Sequence, residues 1–84
     1  MEGNLTIEEA FGSAIRGLRK ANHFSQEKLA DRSTLDRSFI SLLENGKKQP
    51  SLITIFQLAK ALNTLPSKIL AAVEENIKSE KTVC

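Results

Sequence analysis

Apolar residues recur at the three- and four-residue spacing of a helix along almost the whole of this chain. No stretch alternates strictly enough, with β-branched or aromatic enrichment, to read as a strand. A chain patterned in this way buries its apolar side chains by packing helix on helix, so the fold class is all-α. Eighty-four residues support a single domain over 1–84 with one modest core, and are too few for a cleft enzyme with separate cofactor and substrate lobes.

The caps mark where each helix starts and stops. Thr6 opens the first helix, since its hydroxyl can accept from the Glu9 amide while Glu9 reaches back; Ile7, Phe11, Ala14, Ile15 and Leu18 then form one apolar stripe, which Asn22 and His23 end. Ser25 caps a short second helix, with Glu27 near its positive end and Leu29 and Ala30 facing inward. Ser33, Thr34 and Leu35 make a three-residue turn, and Asp36 caps a third helix whose inward candidates are Phe39, Ile40 and Leu43. That helix stops at Asn45-Gly46, because glycine takes the left-handed conformation at low cost. Lys47, Lys48, Gln49 and Pro50 follow as a basic loop. Ser51 caps a fourth helix, with Ile55, Leu58, Ala59 and Leu62 at i, i+3, i+4 and i+7, and Pro66 suits the first turn of a fifth. The apolar face of the fifth helix comprises Leu65, Ile69, Leu70, Val73 and Ile77, and the loss of pattern after it predicts a loose tail over 78–84. The chain shows no internal repeat, low-complexity segment or interdomain linker.

The net charge of +2 is unevenly placed. Residues 1–15 hold three acids and no base, residues 16–48 hold eight bases against four acids, and 49–84 hold four bases and three acids. Basic charge therefore gathers in the middle, where a polyanion such as a phosphate backbone would be met. Apolar runs of a few residues fall far short of the ~20 needed to span a bilayer, and the acidic start does not resemble a signal peptide, so a cytoplasmic protein with no membrane contact is expected. The single cysteine, Cys84, is the last residue; it has no partner for an intramolecular disulfide and no companions for a zinc site. His23 reads as a cap or surface residue. With no metal cluster, no cofactor motif and no Ser, His and Asp set at plausible positions, the sequence points away from an enzyme.

Two short helices joined by a three-residue turn form a helix-turn-helix over about 25–45, whose second helix has the dimensions to enter a DNA major groove. The outward residues of that helix, Arg37, Ser38 and Ser41, are polar and lie toward its N-terminal half, the part able to reach base edges. Arg37 has the fork to bond guanine O6 and N7 together, and the serines can bond bases or phosphates according to their orientation.

The segments Phe24-Ser25-Gln26-Glu27-Lys28-Leu29-Ala30, Leu35-Asp36-Arg37-Ser38-Phe39-Ile40-Ser41 and Leu43-Glu44-Asn45-Gly46-Lys47-Lys48-Gln49-Pro50-Ser51 together resemble the Cro and lambda-repressor (XRE) family. The resemblance runs from about residue 11 to 70, and within the family the stretch from Leu35 to Ser41 looks most like the controller proteins of restriction-modification systems. It implies a five-helix lambda-repressor-like domain that binds double-stranded DNA as a sequence-specific transcriptional repressor or controller. Carried over by position, it makes Arg37 and Ser38 base-reading residues, with Ser41 beside them on the same face. Gln26 becomes a phosphate clamp that also braces the third helix. Lys47, Lys48, Gln49 and Ser51 become further phosphate contacts, and Arg19 with Glu44 a structural pair joining the first and third helices. Asp36 matches the capping position, with acceptance from a cytosine amine as its alternative. The sequence departs from the family at Thr34, where glycine is usual: either the turn is strained by a β-branched residue at positive φ, or its geometry shifts.

So small a reading surface contacts few base pairs, which implies a homodimer on a palindrome. The fifth helix, where Leu65, Leu70 and Val73 cannot all face one small core, is the expected contact. The alternative function for this fold is a protein-binding adaptor or antitoxin, for which residues 71–84 are the only stretch outside the resemblance; they are short and mostly polar, which favours the DNA binder.

Overall fold

The computed structural model describes residues 5–82, with side-chain burial through Lys78. It contains α1 (Ile7–Ala21), α2 (Gln26–Ser33), α3 (Arg37–Glu44), α4 (Leu52–Ala61) and α5 (Pro66–Thr82), with no strand among the described residues. The local signals that start these helices act as read. Thr6 and Glu9 exchange reciprocal bonds of 3.0 Å, Ser25 accepts from the Lys28 amide at 3.0 Å, and Ser51 accepts from the Thr54 amide at 3.1 Å. Asp36 differs: its backbone is extended at the N-cap of α3, but its side chain makes no capping hydrogen bond.

α1 packs on α5 and α3, α2 sits against α3 and α4, and α4 closes onto α5. Every helix sends at least one fully buried side chain to a common centre: Ile15, Leu29, Ile40, Leu43, Leu58 and Ile69. The approach of α1 to the end of α3 is unusually close. A Cβ added at Gly12 would stand 2.6 Å from the Glu44 carbonyl oxygen and nearer still to that of Leu43, so the two backbones touch where any side chain would hold them apart.

Four helix ends are closed by the same device, and only one of them uses glycine. Within two residues of the ends of α1, α2, α3 and α4 stands a left-handed residue: His23 (φ 60), Thr34 (φ 60), Gly46 (φ 71) and Asn63 (φ 57). In each case the next amide bonds back into the last turn, as in Phe24 to the Arg19 carbonyl and Leu35 to the Ala30 carbonyl, both at 3.0 Å. Thr34 thus keeps the geometry that glycine would adopt freely and carries the strain of a β-branched residue there, of order 1 kcal/mol. Its hydroxyl bonds the Ser33 carbonyl and receives the Gln57 amide, contacts that hold the turn in place.

Two expectations change, at Ile7 and at the end of α5, and the apolar face of α5 is divided between core and solvent. Ile7, read as part of the α1 stripe, is 70% exposed, because the core contact of that helix begins only at Ala10 and Phe11. On α5, Ile69 and Val73 point inward while Leu70, and Leu65 just before the helix, stay in solvent; Leu70 follows Ile69 by one residue and so lies about 100° around the helix. The helical backbone of α5 also continues to Thr82, past the point at Lys78 where a loose tail was expected. Residues 83–84, Cys84 among them, lie outside the described residues.

Candidate nucleic-acid interface

The third helix presents two opposed faces. Ile40 and Leu43 are fully buried, while Arg37 and Ser38 are exposed and Ser41 is half-buried beside them. Polar side chains on the outer face are thus carried by a helix anchored from behind. Among the described residues no hydrogen bond or ion pair joins Asp36 to Arg37, so the Arg37 guanidinium stands clear for an outside partner.

What orients this helix is its last residue. The Glu44 side chain has no solvent exposure, and its carboxylate is met by three side chains. Arg19 donates from Nε at 2.6 Å and from Nη2 at 3.0 Å, a two-pronged grip; Gln26 Nε2 donates at 3.1 Å; Arg16 Nε donates at 3.5 Å. The expected Arg19–Glu44 pair is therefore present and joins α1 to α3, with Gln26 tying in the start of α2. Burial pushes the Glu44 carboxyl pKa up, but the bonds from Arg19, Gln26 and Arg16 outweigh it and hold the group below its ordinary value. The Glu44 hydrogen bond in turn raises Arg19, which also donates to the Phe24 carbonyl at 2.9 Å.

Around this helix lie the other named residues. Gln26 is half-buried and its amide nitrogen donates to Glu44, so its bracing role is visible in the geometry; the second N–H of that amide and the α2 N-terminus are the donors left beside it. Lys47, Lys48 and Gln49 are exposed on the loop after α3, and Ser51 is exposed at the start of α4. The Ser51 hydroxyl is already engaged with the Thr54 amide and hydroxyl, so any anion held there meets backbone N–H groups at a helix start. Arg37, Ser38 and Ser41 share α3, Gln26 joins it through Glu44, and the loop from Lys47 to Ser51 follows it directly.

Sequence reasoning missed three features. Arg16 converges on the same carboxylate as Arg19 and also donates to Asn45 Oδ1 at 3.2 Å; its position one turn before Arg19 was the available signal. Arg32 lies over the Phe24 ring, 4.9 Å from its centroid, and donates to the Ala61 carbonyl at 2.9 Å, fastening α2 to α4. The third is an apolar surface on α4, where Leu52, Ile53 and Phe56 are 68, 72 and 56% exposed. Ile53 and Phe56 line a shallow groove with Thr64 and Pro66, next to exposed Leu65.

A family model described as helix-turn-helix matches residues 15–69, spanning α2, the left-handed turn at Thr34 and α3. The chain belongs to the helix-turn-helix family. Within it, the control protein C.SmaI of Serratia marcescens is 36% identical over 77 residues, which cover 92% of this chain and 89% of that protein. The crystal structure of the restriction-modification controller protein C.AhdI from Aeromonas hydrophila superposes with a TM-score of 0.72 at 42% identity, covering 74% of this chain and 94% of that one. The controller protein C.Esp1396I, solved as a tetramer in complex with its natural 35 base-pair operator, shares the fold: TM-score 0.80 at 22% identity, over 88% of this chain and 97% of that one. The resemblance to the Cro and lambda-repressor type is thus matched by control proteins, and the all-α helix-turn-helix fold by solved structures.

Proposed function

We propose that this helix-turn-helix protein is a sequence-specific double-stranded-DNA-binding transcriptional regulator of the controller type, a binding protein and not an enzyme, acting as a homodimer on a palindromic operator. The observation that carries the reading is the two-faced α3: its inner side is buried at Ile40 and Leu43, its end is clamped through Glu44, and its outer side offers Arg37 and Ser38 exposed with Ser41 half-buried beside them. Arg37 reads a base, with Ser38 and Ser41 beside it. Gln26, Lys47, Lys48, Gln49 and the amides at Ser51 hold phosphates on either side. The likeness to C.SmaI over nearly the full length of both chains, and to C.AhdI, supports the controller role.

The dimer is supported by the exposed apolar side chains. Leu65 and Leu70 of the expected α5 surface are exposed, and Leu52, Ile53 and Phe56 extend that surface onto α4. No helix of the described residues is long and apolar enough to cross a membrane; a DNA-binding role is what supports a cytoplasmic location.

The decisive experiment is selection of binding sites from random duplexes with purified protein, paired with sedimentation at micromolar concentration. An enriched palindrome and a self-associating protein are the expected results. A failure to enrich any sequence would overturn the DNA-binding reading, and a strict monomer, free and on DNA, would overturn the dimer.

A further inference from the structure

From the hydrogen bonds at the C-terminal end of α3 we infer that Arg16, on α1, is a positioning residue of the DNA interface: it sets the side-chain amide of Asn45 so that its NH2 group faces the DNA backbone. The inference rests on the DNA-binding reading above.

Asn45 caps α3 and is exposed. It stands four residues after Ser41 and eight after Arg37, so it continues the outer stripe of the recognition helix by a further turn. Base edges are met by the N-terminal half of such a helix, which leaves its C-terminal end beside the sugar-phosphate backbone. Lys47, two residues on, lies in the same neighbourhood.

A free asparagine amide flips between presenting its acceptor and its donor, and only the donor suits a phosphate oxygen. Here the choice is made by Arg16. Its guanidinium carries donors alone, so the Asn45 atom 3.2 Å from Nη2 is the oxygen. The NH2 group is thereby turned to the other side, where it lies 3.5 Å from Ser41 Oγ on the outer stripe. Arg16 is itself held in register, since its Nε faces the buried Glu44 carboxylate at 3.5 Å while its side chain is 45% exposed. The buried node that anchors α3 therefore reaches the surface through Arg16 and ends on a donor beside Ser41, on an exposed residue of the outer stripe.

The alternative is that Arg16, being basic and half-exposed, touches a phosphate directly. The two roles separate in a double-mutant cycle on the full chain, using the duplex recovered by site selection and a random duplex, over a range of salt. In the positioning role Arg16→Ala and Asn45→Ala each weaken binding to both duplexes by about fivefold, and the double variant is no weaker than either single one. The salt slope stays unchanged, because a neutral amide contact releases no counterion. Additive losses, a slope smaller by about one counterion per subunit in Arg16→Ala, or no loss in Arg16→Ala would each overturn the inference. Urea melts of the variants keep the result readable, since the exposed Arg16–Asn45 contact contributes only ~0–1 kcal/mol to folding. A wild-type protein that binds neither duplex would instead overturn the DNA-binding reading itself.

Discussion

Replacing Glu44 by alanine tests the view that one buried carboxylate sets the orientation of the recognition helix. Glu44 has no exposed side-chain surface and Arg19 only 12%, so removing the acid leaves a nearly buried guanidinium without its counter-charge. Breaking such a pair from one side costs about 3–5 kcal/mol, most of it the penalty of the stranded charge. Arg16 and Gln26 lose a shared acceptor at the same time. A chain of 84 residues has a total stability of roughly 4–13 kcal/mol, so this one substitution removes a large share of it. In urea, with a slope of about 1–3 kcal/mol per molar, the midpoint should fall by about 2 M. The same logic fixes a pH dependence. The Glu44 carboxyl is held below its ordinary value of 4.5, so its stabilisation is complete at neutral pH and is lost as pH falls from 4.5 through the lower native value. Glu44→Gln keeps the shape, cannot titrate, and should flatten this acid limb. A midpoint shift worth less than ~1 kcal/mol in Glu44→Ala, with an unchanged acid limb in Glu44→Gln, would refute the reasoning, because the pair would then behave as a solvated surface contact.

Arg37→Ala should cost roughly 1–3 kcal/mol per half-site on the selected operator and much less on random duplex; equal losses in a titration of both would transfer the reading to Ser38 or Ser41. Lys48→Ala should weaken binding to every sequence alike and reduce the salt slope by about one counterion per subunit, and a changed consensus with an unchanged slope would contradict a phosphate role. Phe56→Glu should leave the circular dichroism spectrum intact, since the ring is 56% exposed, yet shift sedimentation toward monomer; unaltered self-association would place the dimer contact elsewhere. Thr34→Gly relieves a left-handed β-branched residue and should raise stability by up to about 1 kcal/mol, seen as roughly 4–8 °C in Tm; a lower Tm would mean that the hydroxyl contacts outweigh the strain.

The features that sequence alone determined are those whose physics is local. Thr6, Ser25 and Ser51 cap helices because each hydroxyl needs only the amide three residues on, and Gly46 ends α3 because its freedom at positive φ is its own. Helical spacing fixed the inward choice of Ile15, Leu29, Ile40, Leu43, Leu58 and Ile69, and the resemblance located the Arg19–Glu44 pair. Tertiary structure decided whatever depends on which neighbour covers a face. α4 is apolar on nearly every side, so nothing in its pattern told which residues α2 and α5 would leave open, and Leu52, Ile53 and Phe56 proved to be those. His23 and Asn63 adopt the left-handed state without glycine because the amides that follow find carbonyls in the preceding turn and the chain must reverse there. Arg16 read as one more basic residue until α1 met the end of α3 at Gly12, the close approach that brings its guanidinium to Glu44 and Asn45 across 28 and 29 residues of sequence. A contact over that separation depends on the angle at which two helices cross, which no local sequence signal encodes.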